Sequence, residues 1–176
     1  MSFFLVLLAA GDSKRFKSNT PKLYYKINNK TLLEHSFNAF SSFIKIKKTI
    51  IVYNKKHKKL LNNIKLKNSI KITGGKTRQE STLKALKFIK RMKCTKVLIH
   101  DAARPNPSKK LVNEIINKLS NNHAIIPVIN TSDATKRYEK NLIFKNIQRE
   151  TLAFAQTPQG FTYYKILAKH LENEEE

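Results

Sequence analysis

Only three Asp residues occur in the 176-residue chain, Asp12, Asp101 and Asp133, beside six Arg and 29 Lys. Asp101 follows His100 and stands directly before Ala102-Ala103-Arg104-Pro105. A carboxylate at a strand end can take Mg²⁺, which prefers carboxylate and phosphate oxygens. Arg104 beside it can fork onto a phosphate. The plainer reading is an Asp that caps the next turn and pairs with Arg104. A second set lies at the start, where Phe3 to Leu8 run into Ala9-Ala10-Gly11 and two cations follow, Arg15 and Lys22. Small residues after a strand let backbone N–H groups approach a phosphate, and cations there neutralise charge. The loop lacks the glycine spacing of a dinucleotide fingerprint and the Gly-Lys-Ser/Thr of a P-loop. A third set, Gly74-Gly75-Lys76-Thr77-Arg78 with Ser81 one turn on, opens a helix with room for a base or ribose. Arg149 reads as solvated, or as reaching a phosphate across an interface. His35, His57, His123 and His170 show no metal-ligand spacing.

These residues need elements to position them. Phe3 to Leu8 has the length and composition of a buried strand. Leu23 to Ile27 reads as a short extended piece. Thr31 and Glu34 form a capping box for a helix carrying Leu32, Leu33, Phe37, Phe40 and Phe43 at helical spacing. Thr49 to Tyr53 is a second strand, Lys55 to Ile64 a basic helix, and Ile70 to Ile72 a third strand. A helix from about Arg78 to Met92 leads into a fourth strand, Lys96 to His100. Ser108 caps a helix with Leu111, Ile115, Ile116 and Leu119 inward, and His123 to Ile129 is a fifth strand. This alternation predicts an α/β, doubly wound, mostly parallel sheet. Ligands of such sheets bind at the carboxyl ends of the strands, where the loops after Leu8, Ile72 and His100 fall. The pattern then breaks. Residues 130–149 read as a projecting β-hairpin arm, a segment with little core of its own that predicts packing on a second subunit. Phe154 to Phe161 reads as a loop, and Thr162 as the cap of a last helix.

Composition bounds the rest. A chain of this length fits one domain, taken as 1–176, with 40% hydrophobic residues. The first apolar run is too short to span a membrane and has no basic segment before it, so a soluble, cytoplasmic protein is expected. The lone Cys94 excludes an internal disulfide and reads as an inert core thiol. The formal charge of +23 invites a nucleic-acid partner. Lysines spread along the whole chain, with Arg scarce, point instead to a solvated lysine-rich surface, so neither nucleic acid nor membrane is expected as a partner.

Taken together, Leu8-Ala9-Ala10-Gly11, Arg15-Phe16, Pro21-Lys22, Gly74-Gly75 with Arg78 and Ser81, His100-Asp101-Ala102-Ala103-Arg104-Pro105 and Gln156-Thr157-Pro158-Gln159-Gly160-Phe161 resemble the 2-C-methyl-D-erythritol 4-phosphate cytidylyltransferases. The order and spacing agree over nearly the whole chain. The resemblance implies a Rossmann-like nucleotidyltransferase that joins CTP to the sugar-alcohol phosphate and releases pyrophosphate, in the non-mevalonate isoprenoid pathway. It implies Arg15 and Lys22 as catalytic cations, and Ala9, Ala10, Gly11, Gly75 and Ser81 around the nucleotide. It implies Asp101 on Mg²⁺, and Arg104 and Arg149 on the acceptor, with Arg149 supplied by the partner of a homodimer. Four of the six arginines fall on the family's motif positions: Arg15, Arg78, Arg104 and Arg149. Ser13 stands where the family often has Gly. Asp133-Ala134-Thr135-Lys136 replaces the family's Asp-Thr before Lys, so the resemblance implies that the acceptor-contacting hydroxyl is either lost or supplied by Thr135. The resemblance also implies more chain after Glu176, with a second metal-binding Asp and a Lys. Ribitol 5-phosphate as the acceptor, and a non-catalytic basic fragment binding nucleotide or nucleic acid, are the competing readings.

Overall fold

The computed structural model describes residues 1–12 and 16–172. Strand β1 (Phe3–Ala9) is the axis of the sheet. A short hairpin, β2 (Lys26–Ile27) and β3 (Lys30–Thr31), turns through Asn28 and Asn29, both at positive φ, and leads into α1 (Leu32–Ser41). β4 (Ile46–Tyr53), α2 (Lys58–Asn62), β5 (Ser69–Thr73), α3 (Arg78–Ile89), β6 (Lys96–Asp101) and α4 (Lys109–Lys118) follow. β1 pairs in parallel with β4 on one side and β6 on the other, and β5 adds to β4. This is the mostly parallel, doubly wound order predicted from the alternating pattern.

Parallel strands covered on both faces must be apolar throughout, because successive side chains point to opposite layers. In β1, Phe4 and Val6 pack with Leu83, Leu86 and Ile89 of α3, whereas Phe3, Leu5 and Leu7 join the clusters around α1, α2 and α4. Local signals start the helices. Thr31 and Glu34 form the expected capping box, Thr77 caps α3 and Ser108 caps α4. Lys71 Nζ donates to the carbonyls of Leu61 in the last turn of α2 and of Ile64 just beyond it, at 3.0 and 3.4 Å. No helix among the described residues is long and apolar enough to cross a membrane.

The second half differs from the sequence expectation. The segment taken as one fifth strand is two, β7 (Ala124–Ile125) and β8 (Val128–Asn130). Pro127 lies between them and has no N–H for a ladder. The arm, β9 (Thr135–Glu139) and β10 (Leu142–Ile147), turns through Lys140 and Asn141 at φ 47° and 65°, the backbone of a two-residue hairpin turn. β11 (Ala153–Ala155) returns beside β8. The stretch read as a loop contains β12 (Gln159–Thr162), which inserts antiparallel between β6 and β7 and leads into α5 (Tyr163–Glu172). The sheet order is therefore β5-β4-β1-β6-β12-β7. Thr162 directly precedes α5, as expected, and its hydroxyl also accepts from the buried Lys96 Nζ at 2.8 Å, which ties β12 to β6.

Gly160 explains how a four-residue strand fits beneath α4. A Cβ there would fall 2.8 Å from Ile115 Cγ2 and 3.1 Å from Leu119 Cδ2. Cys94 is half-buried, and burial pushes its thiol up to about 12, as suits an inert group. Gly160→Ala is expected to destabilise the fold by about 1–3 kcal/mol through overpacking. Denaturant titration checks this, and an unchanged midpoint would mean that α4 does not press on β12.

Candidate active site

The carboxyl ends of β1, β5 and β6 meet at one edge of the sheet. Leu8, Ala10, Gly11, Gly75, Arg78, Ser81, Asp101 and Ala103 line a cleft of about 400 Å³ there. Ladder-like bonds continue past the strands. Ala102 N donates to Leu8 O at 2.9 Å, and Gly74 N to Tyr53 O at 2.8 Å. Ala9 is buried in the core with Leu7 and Tyr53, so its side chain is not part of the cleft wall. Lys22 opens a short 3₁₀ turn, Lys22–Tyr24, pinned by the buried Leu23 and Tyr24, and its own side chain is exposed. Arg15 and Ser13 lie outside the described residues.

Asn54, at the exit of β4, was not singled out in the sequence. Its Nδ2 donates to Ala10 O at 3.2 Å and to Asp12 Oδ1 at 2.5 Å, while its Oδ1 accepts from Lys56 N. One side chain thus ties the small-residue loop to the neighbouring strand. Nothing in the spacing of Asn54 signals this, because the contact spans 44 residues.

The glycine pair has steric causes. A Cβ on Gly74 would lie 2.5 Å from Ala10 Cβ and 2.9 Å from Ser81 Oγ, and one on Gly75 would strike the Glu80 side chain. Ser81 Oγ accepts from Gly75 N at 3.0 Å, so the hydroxyl shapes the turn as well as lining the cleft. The Glu80 carboxylate accepts from Lys76 N at 2.7 Å and pairs with Lys84 at 3.1 Å. These contacts, the backbone bond first, hold its carboxyl below the usual carboxylate range. The N-terminus of α3 opens on this cleft and favours an anionic group there.

Asp101 is held between two guanidiniums, with Arg78 Nε 3.1 Å from Oδ1 and Arg104 Nε 3.6 Å from Oδ2. The pairing of Arg104 with Asp101 is the plainer of the two readings of the sequence, and it places Arg104 at the sheet edge. Arg104 also donates to Gln156 Oε1, and Thr157 Oγ1 accepts from Asp101 N at 3.4 Å. On the far side of this turn Arg104, Pro105, Leu111, Val128, Gln156 and Thr157 line a second hollow of about 480 Å³. Beneath the turn His100 is fully buried, its Nε2 2.8 Å from Arg104 O and its ring edge-on to Phe40. Burial pushes its pKa below the ordinary histidine value, outweighing the opposite pull of the Arg104 carbonyl. Ser36 Oγ, also fully buried, donates to Ala102 O at 2.5 Å.

Asp101 is the one carboxylate among the residues lining the first cleft, and the described residues contain no group of three or more potential metal ligands. Such a donor fits Mg²⁺ only where phosphate oxygens and water complete the shell, which is the usual Mg²⁺ arrangement. Thr135 and Arg149 are not brought to the cleft or to the second hollow. On the arm, Arg149 donates to Ser132 O at 3.1 Å and pairs with Glu150 at 3.1 Å, while Thr135 stands opposite Ile147.

Solved structures share this architecture. One is the 4-diphosphocytidyl-2C-methyl-D-erythritol synthase of Anaerococcus prevotii, at TM-score 0.82 and 26% identity, covering 99% of this chain and 77% of that one. Another is the bifunctional IspDF of Campylobacter jejuni, at TM-score 0.82 and 29% identity, covering 97% of this chain and 43% of that one. The class is thus a Rossmann-like nucleotidyltransferase. Within it, the chain belongs to the IspD, or 2-C-methyl-D-erythritol 4-phosphate cytidylyltransferase, family, whose model matches residues 3–176. Among relatives, the bifunctional IspD/IspF enzyme of Pelagibacter ubique is 46% identical over 176 residues, covering all of this chain and 47% of the relative. The cytidylyltransferase of Wigglesworthia glossinidia is 37% identical over 171 residues, covering 96% of this chain and 73% of the relative. The chain therefore spans about half the length of the bifunctional relatives it matches.

The glycines separate two kinds of constraint. Gly74→Ala is expected to cost about 1–3 kcal/mol, because the new methyl group meets Ala10 and Ser81. Gly11→Ala, with nothing within 4 Å of the new Cβ, should stay within about 0.5 kcal/mol of the parent. Paired thermal melts check the difference, and equal losses would remove the close approach of Gly74 to the first loop.

Proposed function

We propose that the protein transfers the cytidylyl group of CTP to 2-C-methyl-D-erythritol 4-phosphate, forming 4-CDP-2-C-methyl-D-erythritol and pyrophosphate in the non-mevalonate isoprenoid pathway. The observation that carries this reading is the turn from Asp101 to Arg104, which forms a wall of two separate hollows. One hollow opens on small residues and a helix start, as a nucleoside triphosphate requires. The other offers Arg104 to a phosphate. In the reaction an acceptor phosphate oxygen attacks the α-phosphorus of CTP, one P–O bond forms, the α–β P–O bond breaks, and pyrophosphate leaves with the electron pair. No covalent enzyme intermediate is needed, so the protein's share is orientation and charge stabilisation.

Lys22 and Arg15 stabilise the charge that gathers on the α-phosphate. Ala10, Gly11, Gly75 and Ser81 bound the nucleotide, with Ala9 contributing through its backbone. Asp101 is the residue that would hold Mg²⁺, which would supply further charge neutralisation there. Arg104 grips the acceptor phosphate, joined by Arg149 and Thr135 from the arm of a second subunit. The homodimer is supported by the arm itself, where Tyr138, Leu142, Ile143 and Phe144 are each more than 60% exposed. A lone half-buried cysteine accords with a reducing, cytoplasmic setting.

Pyrophosphate release from CTP tests the reaction. It is expected with methylerythritol phosphate and not with ribitol 5-phosphate. Release with neither, alongside salt-sensitive nucleic-acid binding, would replace the enzyme with a binding protein. Lys22→Ala should lower kcat by about 100-fold or more while leaving the KM for CTP nearly unchanged. A loss confined to KM would contradict a transition-state role. Sedimentation at micromolar concentration should give a dimer, and Ile143→Asp a monomer with a raised KM for the acceptor. A parent protein that sediments as a monomer would rule out a shared site.

A further inference from the structure

Two buried donors support the Asp101–Arg104 turn from below, and neither belongs to the catalytic set. His100 lies at the end of β6 and Ser36 in the middle of α1, 64 residues apart in sequence, and both are fully buried. Ser36 Oγ donates to Ala102 O at 2.5 Å, and His100 Nε2 lies 2.8 Å from Arg104 O. A carbonyl only accepts, so the His100 tautomer at this contact carries its proton on Nε2. Nδ1 is then an acceptor, and it is buried with no partner among the described residues. A histidine kept for packing alone has no need of a polar ring at this depth. The edge-on contact with Phe40, ring centroids 5.0 Å apart, would be made as well by a phenylalanine. What histidine adds is the one N–H directed at the Arg104 carbonyl.

The consequence follows from the bonds of the turn. Ala102 N is fixed to Leu8 O at 2.9 Å, and Arg104 N to Asp101 O at 3.0 Å. Those bonds hold the donor side of the turn, and Ser36 and His100 hold two of its carbonyls. The Arg104 side chain is half exposed, and among the described residues it pairs with Asp101 and donates to Gln156. Its reach into the second hollow is therefore set by where its backbone sits. We propose that His100, with Ser36, is a positioning residue that fixes the Arg104 backbone and thereby sets affinity for the phosphate-bearing acceptor, without acting on the nucleotide. This rests on the reading of Arg104 as the acceptor's phosphate ligand.

The test compares His100→Gln, His100→Asn and His100→Phe with Ser36→Ala and Arg104→Ala. Gln carries an N–H to the reach of Nε2, Asn is too short, and Phe keeps the ring contact without the donor. His100→Phe and His100→Asn should raise the KM for methylerythritol phosphate up to about tenfold, the scale of one lost hydrogen bond at this part-buried contact. The KM for CTP should stay within about twofold, His100→Gln should restore most of the acceptor affinity, and Ser36→Ala should move in the same direction as His100→Phe. Amide exchange reads the turn without any substrate. The Arg104 N–H should exchange about tenfold faster in His100→Phe, and the Ala102 N–H, held by Leu8, at its original rate. An acceptor KM and an Arg104 exchange rate unchanged in His100→Phe would overturn the proposal. So would equal losses for both substrates that Gln fails to rescue, since those mark a core residue only. If Arg104→Ala leaves the acceptor KM unmoved, the reading of Arg104 fails, whatever the exchange data show for His100.

Discussion

The structure depends on where the parallel ladder around β1 stops. β1 is bonded to β4 and β6 in parallel, so all three run out at the same edge. The last bonds are made by loop residues, Ala102 N to Leu8 O and Gly74 N to Tyr53 O. These bonds turn sheet register into site geometry, because the first loop, the glycine pair and the Asp101 turn are each set one or two residues beyond a rigid strand. Groups placed this way inherit the precision of the sheet, whereas a free loop would have to be ordered by the ligand. The cost falls on side-chain choice at the seams. Gly74 must be Gly because Ala10 is against it, and Asn54 must reach across to Ala10 and Asp12.

Charge follows a similar division. The net charge of +23 is carried mostly by lysines spread along the chain, and such a field attracts anions without choosing among them. Selection falls to the few arginines. Arg78 and Arg104 converge on one carboxylate from opposite sides, each presenting a planar fork suited to phosphate. Asp101 keeps the two guanidiniums in a small volume that their mutual repulsion would otherwise disperse.

Much of this was legible in the sequence. The all-apolar β1, the Thr31–Glu34 capping box, the Ser108 cap and the hairpin turn are local patterns, and each appears where local physics puts it. The motif residues that line the cleft were also legible, because Ala10, Gly11, Gly75, Ser81 and Asp101 sit directly after strands or at a helix start. The failures are all tertiary. β12 is four residues with one Gly and no alternation that stands out, and it becomes a strand because a gap exists between β6 and β7. Thr162 stands before α5 as its pattern suggested, but the bond from the buried ammonium of Lys96 to its hydroxyl was not legible. Ser36 and Asn54 were not singled out in the sequence at all. Their partners lie 66 and 44 residues away, beyond the reach of any local pattern.

The magnitudes of these contacts explain why the site is rigid in one part and yielding in another. Asp101, Arg78 and Arg104 form ion pairs whose guanidinium side chains are 50% exposed. Pairs in that setting are worth about 0–1 kcal/mol, because water competes for both partners and salt screens them. An incoming phosphate, which brings more charge and two or three acceptor oxygens, can therefore take either guanidinium from Asp101 at small cost. The donors beneath the turn are in the opposite regime. The Ser36 bond to Ala102 O is buried, where a carbonyl deprived of its partner costs about 1–3 kcal/mol, and the His100 bond to Arg104 O is part-buried. Ser36 and His100 thus anchor two backbone carbonyls of the turn, whereas the ion pairs above them lie where water competes for both partners. Backbone position and side-chain charge are therefore held by separate interactions, and a change in one need not disturb the other.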